Sequence, residues 1–323
     1  MDRKRALVLI NKTSGLGKAA NDTLQIATRL AECGYEPVIY PILPGTDLTS
    51  EKIVAEYATE FCEADTMKGG TKSDKGKSGI CLVMCSGGDG TLNHVVNALM
   101  EYDVRPLLSY VPTGSTNDFA KGLGIPSDRD MAIELAVNGI PFTYDVGKMN
   151  DNYFNYVAAF GAFSKVSYAT DQELKNVLGY AAYVISAIAE LPQNIGYNCH
   201  LKVEAEGISE EGDYIFGAVS NSASVAGMTL FSDDVIKQDD GQMELLLIRA
   251  PKNLADFNGI ITALATKESD NPYITYKQVT SARFISGDEI EWTLDGEFGG
   301  AYKETDIKVV NKAITIMTSI DER

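Results

Sequence analysis

Histidine is nearly missing from this chain: two occur in 323 residues, His94 and His200. Ser-His-Asp and Cys-His nucleophile systems and histidine-rich metal sites therefore have almost no material, and proton transfer falls to carboxylates. Cations are scarce as well. Lys and Arg number 28 against 45 Asp and Glu, a net charge of −17. That balance argues against nucleic acid as the main partner, because phosphate backbones are held by clustered Lys and Arg. It also argues against broad electrostatic adhesion to anionic membranes. Lys18, Lys175 and Lys202 are too scattered to call a patch, and local docking through an apolar edge or a small basic patch stays open. No apolar run is long enough to span a bilayer; LGYAAYVISAIAELP (178–192) stops at Pro192. The five cysteines, Cys33, Cys62, Cys81, Cys85 and Cys199, are odd in number and form no CxxC. MDRKRALVLIN runs straight into a strand-like segment and carries no signal-peptide pattern. Together these features lead to the expectation of a reducing cytoplasm.

What is present is an ordinary globular composition, and the length suggests two domains. ALVLIN (6–11), VIYPI (38–42), ICLVMC (80–85) and PLLSYVP (106–112) read as buried strands. They alternate with helical patterns at TLQIATRLAECG, at 49–62 and at TLNHVVNALMEY. Such alternation predicts an α/β domain over 1–145 with a doubly wound, mostly parallel sheet. The run TMKGGTKSDKGKSG (66–79), with four Lys and four Gly, reads as a surface loop. After about residue 145 the texture changes to short strands, with helices over 171–191 and 253–266. The second domain, 146–323, is expected to be mostly antiparallel and β-sandwich-like, its extreme C-terminus packing back on the first.

Three polar turns follow strands of the first domain, and in such sheets ligands sit at the carboxyl ends of strands. The first is Asn11-Lys12-Thr13-Ser14-Gly15. The second is the glycine loop Gly87-Gly88-Asp89-Gly90-Thr91, continuing into Leu92, Asn93 and His94. The third holds Ser115, Asn117 and Asp118. Glycines let backbone N–H groups approach a ligand, and a helix expected to begin near Thr91 adds its positive end. Asn stands at 93, so this is no GxGxxG fingerprint, and no Gly-Lys-Ser/Thr triplet closes the loop as in a Walker A motif. Taken alone, GGDGT also describes a plain strand–helix turn, and Asn117 and Asp118 a helix cap. A polyphosphate ligand explains all three turns at once.

The segments GGDGTLNHVVNAL, PTGSTNDFAKGLGIP and LDGEFGG together resemble the diacylglycerol kinase catalytic-domain family, most closely its soluble bacterial members. The likeness extends through VSYATDQELKNVLGYAAYVISAIAELP and KQDDGQMELLLI. GGDGT by itself is shared with NAD kinases and 6-phosphofructokinases, so the resemblance implies an N-terminal domain like theirs and an active site in the cleft between the domains. It implies transfer of the γ-phosphoryl of ATP to a lipid hydroxyl, with Glu297 as general base. It implies Mg²⁺ held by Asp240 and main-chain oxygens of Lys237 and Gln242, with Asp239 facing the metal–water network. Asp89 is read as orienting the hydrated metal rather than binding phosphate. Asp145 matches a family carboxylate without a clear role. Without the resemblance, Glu297 is an exposed carboxylate in an Asp-Gly turn, and Asp239-Asp240-Gly241 a solvated hairpin turn.

Two positions depart from the family pattern: His94 stands where Glu is common, and Ile42 where a Thr hydroxyl is often found. The resemblance implies diacylglycerol as acceptor, met at the inner face of the cell membrane by transient peripheral contact. A sphingoid base, phosphatidylglycerol, undecaprenol or NAD are the competing acceptors, and a non-catalytic lipid- or nucleotide-binding regulator is the competing class. A homodimer is left open.

Overall fold

The computed structural model describes residues 4–11, 19–43, 45–64, 79–114, 117–161, 198–221, 224–225, 228–229, 237–266 and 271–319. By contacts the chain divides into two units, 1–144 with 312–323, and 145–311.

In the first unit, β1 (Lys4–Asn11), β2 (Tyr35–Ile42), β3 (Gly79–Gly87) and β4 (Leu107–Pro112) stand in the order β2-β1-β3-β4, and every pair is parallel. The reason lies in their composition. Ala6 to Ile10 are buried without interruption, as a parallel strand covered on both faces requires. Ala6, Val8 and Ile10 join Leu82 and Met84 in one core with Ile26 and Leu30 of α1 (Ala19–Glu32) and Ala132, Ile133 and Ala136 of α5 (Arg129–Asn138). Between these helices come α2 (Ser50–Tyr57), α3 (Asp89–Met100) and α4 (Asp118–Gly122). Thr49 caps α2 by accepting the Lys52 N–H at 3.3 Å, and Asp128 caps α5 through the Met131 N–H at 3.0 Å. The register pairs Asn11 with Ile42, Ile10 with Ser86, and Gly87 with Pro112. All four strand ends therefore fall on one sheet edge.

β5 (Ile140–Met149) and a long strand, β15 (Glu297–Thr318), contain the division points between units. The second unit otherwise comprises β6 (Asn152–Phe154), β7 (Val157–Gly161), β8 (Cys199–Ala205), β9 (Ile208–Ser220), the two-residue pair β10 (Ser224–Val225) and β11 (Met228–Thr229), β12 (Met243–Arg249), α6 (Leu254–Thr266), β13 (Ile274–Val279) and β14 (Ser281–Leu294). Its sheet runs β13-β12-β9-β7-β14-β15, with β8 bridging β9 and β14, and all these pairs are antiparallel. Alternation along β12 sorts two cores. Met243, Leu245 and Leu247 face Trp292, Phe160 and Phe284, whose rings meet edge-on at 4.9–5.8 Å. Leu246 and Ile248 face Ile260 and Leu264 of α6. ARFISG (282–287) and IEWTLDGE (290–297) read from their pattern as two short strands, but the first and the Ile290–Leu294 part of the second are one, β14: its register on β15 shifts between Ile285 and Ile290 without ending the pairing. The expected helix over 171–191 lies outside the described residues, as does 65–78 of the lysine-rich run.

Candidate active site

The glycine loop of the first unit is packed backbone against backbone. A Cβ on Gly114, after β4, would lie 2.8 Å from the Cα of Gly88 and 2.7 Å from Asn117 Oδ1. A Cβ on Gly87 would lie 2.5 Å from that of Thr91. Thr113 N–H donates to the Gly87 carbonyl at 2.8 Å, and the buried Tyr110 hydroxyl donates to the same oxygen at 3.2 Å. Asn117, in the left-handed region at φ 47°, closes the third turn with both side-chain atoms: Oδ1 accepts the Gly114 N–H at 3.0 Å and Nδ2 donates to the Gly114 carbonyl at 2.8 Å. Asn11 Nδ2 donates to Thr91 Oγ1 at 2.8 Å, drawing the end of β1 onto the same loop.

The sequence pattern placed the helix start near Thr91, but α3 begins at Asp89. Gly88 is its N-cap, extended at φ −90° and ψ −179°, with no side-chain cap. The Leu92 N–H makes the first intrahelical bond, to Gly88 O at 3.1 Å, so the N–H groups of Asp89, Gly90 and Thr91 have no acceptor within the helix. An uncapped N-terminus behind glycines suits an anion. It suits Asp89 too, whose carboxylate stands at the first helical position and accepts the Asp118 N–H at the start of α4 at 3.1 Å. Its charge is felt nearby: burial foremost, then Asp89, pushes both the Cys85 thiol and the Tyr110 hydroxyl far above their ordinary range.

The other residues of this group differ in what they offer. Leu92 is fully buried, so only its backbone can serve a ligand. Asn93 accepts from Asn97 Nδ2 at 3.0 Å. His94 is exposed, and its Nδ1 lies 2.9 Å from Glu51 Oε1 on α2. Partial burial pushes the Glu51 carboxyl up, but its own amide N–H, the Thr49 hydroxyl and His94 outweigh that and hold it below its usual value. Ile42 ends β2 buried at 8% exposure. Lys12, Thr13, Ser14, Gly15 and Ser115 lie outside the described residues.

In the second unit the turn Lys237–Gln242 is held from beneath by Asp145. This fully buried carboxylate accepts the Gly241 N–H at 2.6 Å, while its own N–H donates to Gln238 O at 2.7 Å. Asn221, also buried, donates through Nδ2 to Asp145 O at 2.7 Å and to Gln238 O at 3.5 Å. Gly241 adopts φ 80°, and the Gln242 N–H closes on Asp240 Oδ1 at 2.9 Å. Lys237 and Asp240 are exposed, and Asp239 is half-buried.

Glu297 opens β15 directly after a two-residue hairpin turn. Asp295 and Gly296 both take positive φ, 50° and 87°, and Leu294 pairs with Glu297 across them. The turn is fixed by the Asp295 carboxylate. It accepts the N–H groups of Asn155, Tyr156 and Val157 at 2.7, 2.9 and 3.1 Å and Asn155 Nδ2 at 3.0 Å. Glu297 itself is exposed, and Phe298 beside it is 64% exposed.

The sequence profile described as the diacylglycerol kinase catalytic domain matches residues 5–149. The protein named diacylglycerol kinase in Staphylococcus aureus (strain MRSA252) is 31% identical over 299 residues, 92% of this chain and 87% of that one. The chain belongs to the diacylglycerol kinase family. Two solved chains from Bacillus anthracis str. Sterne share the fold. One aligns at TM-score 0.76 and 22% identity over 98% of this chain and 96% of that one. The other, described as a diacylglycerol kinase, aligns at TM-score 0.71 and 19% identity over 98% of both chains.

Within this diacylglycerol kinase family chain, the residues expected to serve a nucleotide that are described (Asn11, Gly87–His94, Asn117 and Asp118) all lie in the first unit. There, hydrogen bonds join Asn11 to Thr91 and Asp89 to Asp118. Asp239, Asp240, Gln242, Lys237 and Glu297 all lie in the second. The uncapped α3 terminus fits a phosphate group. The Lys237–Gln242 turn offers oxygen donors of the kind a hard divalent cation takes, one Asp240 oxygen already being used by Gln242 N–H. Among the described residues no three His, Cys, Asp or Glu side chains cluster as ligands. Sequence reasoning missed Asp295 and Asn221 and left Asp145 without a role. The Asp-Gly pair at 295–296 is a hairpin signal that pointed to Asp295; nothing local pointed to Asn221. A Gly-Lys-Ser triplet does occur at 76–78, in the run outside the described residues, but Thr71 stands where a Walker A motif needs its first glycine.

Proposed function

We propose that this chain is an ATP- and Mg²⁺-dependent lipid kinase that moves the γ-phosphoryl of ATP to the hydroxyl of diacylglycerol, giving phosphatidate. The observation that carries the reading is the uncapped N-terminus of α3 behind Gly88 and Gly114, a phosphate cradle in a chain of this family. Phosphoryl transfer asks a protein mainly for positioning and charge neutralisation. The N–H groups of Asp89, Gly90 and Thr91 bind phosphate oxygens, with Asn11, Thr91, Asn117 and Asp118 fixing the loop around them. Glu297, at the foot of the hairpin that Asp295 fixes, takes the proton of the acceptor hydroxyl at its carboxylate. Asp240 with the main-chain oxygens of Lys237 and Gln242 would hold Mg²⁺, with Asp239 ordering its water shell. When bound, the ion supplies positive charge against the transferring phosphoryl group.

The exposed Phe298 next to Glu297 favours an acceptor with apolar chains over a soluble one such as NAD. The reading carries with it a cytoplasmic chain touching the inner face of the cell membrane transiently, without nucleic acid as partner. No helix among the described residues is long and apolar enough to cross a membrane. The test is labelled ATP offered with diacylglycerol, sphingoid base, phosphatidylglycerol, undecaprenol and NAD in separate micellar assays. Magnesium-dependent label in phosphatidate is the expected result. Label in another acceptor overturns the substrate, and nucleotide binding with no ATP consumption across the panel overturns the enzyme.

A further inference from the structure

Two cysteines with no part in the chemistry above meet in the first unit. Cys62 follows a single helical turn at Ala58–Glu60, and Cys81 lies near the start of β3, 19 positions on. Their sulfurs are 2.9 Å apart, under an ångström beyond the roughly 2.05 Å of a disulfide bond. The backbone holds them there. Phe61 bridges to Ile80, and the Cys62 N–H donates to Ile80 O at 2.9 Å, so each cysteine is flanked by a paired residue. Gly79 makes the room: a Cβ there would lie 3.0 Å from Cys62 Sγ and 2.5 Å from Glu60 O. Both cysteines are half-buried, so a small reagent can reach the pair.

The remaining cysteines are differently placed. Cys85 is fully buried, and Cys199 donates to Tyr214 O at 3.4 Å, burial pushing its thiol up to about 12. Cys33 is exposed but has no thiol neighbour, its Sγ lying 3.5 Å from Asn138 Oδ1.

We propose that Cys62 and Cys81 form a reversible redox pair, oxidised to an intramolecular disulfide by small-molecule disulfides of the glutathione class. One thiolate attacks the small disulfide, whose S–S bond breaks, leaving a mixed disulfide and one released thiol. The second cysteine, as its thiolate, attacks the protein sulfur of that mixed disulfide. The Cys62–Cys81 bond forms and the second small thiol leaves. Two electrons pass from the pair to the oxidant, and the two cysteine protons end on the two released thiols. In a reducing compartment such a bond is transient, which suits sensing rather than scaffolding. The bond ties the start of β3, the strand that ends at Gly87, to the 61–64 segment beside it.

The experiment treats the full chain with oxidised glutathione, traps remaining thiols with iodoacetamide, and maps peptides without reduction. The expected result is a cross-linked Cys62–Cys81 peptide pair lighter by two hydrogens, restored to separate thiols by dithiothreitol. Cys33 serves as the accessibility control and carries glutathione only. Cys81→Ser loses the cross-link and leaves glutathione on Cys62. Thermal melting of the unmutated oxidised chain rises above that of the reduced chain, and the rise is absent in the Cys62→Ser/Cys81→Ser double variant. Recovery of Cys62 and Cys81 as separately alkylated or separately glutathionylated residues, at oxidant levels that convert Cys33, overturns the pairing. A cross-link with unchanged melting overturns the anchoring of β3.

Discussion

Gly114 stands so close to Gly88 that a single added carbon on the former would lie 2.8 Å from the latter's Cα. The two turns are thus built on one another, and the shape of the phosphate cradle depends on both lacking side chains. The contact is unequal: a Cβ on Gly88 would meet Gly114 Cα only at 3.4 Å. Gly114→Ala is therefore expected to raise the KM for ATP at least tenfold and to lower the melting temperature. Gly88→Ala should do less of both. Equal effects from the two variants, read by steady-state kinetics and thermal melting, would contradict this account of the loop.

Asp295 and Glu297 sit two positions apart in one hairpin but do separate work. Asp295→Asn keeps a residue that tolerates positive φ, yet it puts an amide donor where four N–H groups now point. Its expected cost is about 2–4 kcal/mol of folding stability. Glu297→Gln should leave melting unchanged and reduce phosphatidate formation by about 10²–10⁴-fold, the range of a lost general base. Turnover by Glu297→Gln at the rate of the unmutated chain removes the base assignment.

How much of this could be read in the sequence depended on whether a signal was local. The strands ending at Asn11, Gly87 and Pro112 announce themselves as short apolar runs closed by polar turns, and their ends in the structure lie within two residues of those expected. The start of α3 was misplaced because its cap is backbone alone: Gly88 offers no side chain to mark the boundary. β14 was split in two because Gly287, Asp288 and Glu289 look like a turn, although the ladder resumes beyond them. The Asn11–Thr91 and Asp145–Gly241 bonds span 80 and 96 positions, and no periodic pattern reports contacts at that range. Those two bonds set the shape of the cradle and of the acidic turn, so the residues were nameable before their arrangement was.

Phe298 exposes 64% of its surface beside the proposed base. If acyl chains lie against it, Phe298→Ala should raise the apparent KM for diacylglycerol several-fold in mixed micelles and leave the KM for ATP unaltered. A change in the ATP constant of similar size would show instead that the hairpin itself had moved.

Glu244 brings a pH dependence into the second unit. It is buried on β12, Oε1 lies 3.4 Å from Gln278 Nε2, and Oε2 has no hydrogen-bond partner among the described residues. Burial, reinforced by Asp240, raises its carboxyl from 4.5 to about 7. The unfolded chain releases this proton near its ordinary value while the folded chain keeps it. Stability should therefore fall as pH rises from about 4.5 to about 7, by up to about 3 kcal/mol. Glu244→Gln holds the site neutral at every pH and should remove that part of the slope. Urea midpoints of both proteins at pH 5 and pH 8 check it; a constant difference between them across that range would mean the carboxyl is ionised throughout.

Asn221 gives the sharpest test of the acidic turn, because it touches the turn without belonging to it. Its Nδ2 links Asp145 O to Gln238 O, and removing it takes one donor from Gln238 O and loosens the Asp145 backbone on which the turn rests. Asn221→Ala is expected to raise the Mg²⁺ concentration for half-maximal activity at least fivefold, with kcat at saturating Mg²⁺ and the KM for ATP little changed. Binding of Mn²⁺, followed by its electron paramagnetic resonance signal, should weaken in parallel without any turnover being measured. Asn221→Gln, which keeps the amide donors on a longer stem, should recover part of the loss. If Mn²⁺ binding is unaltered in Asn221→Ala while the melting temperature drops, Asn221 supports only the fold, and the turn does not owe its metal affinity to this contact.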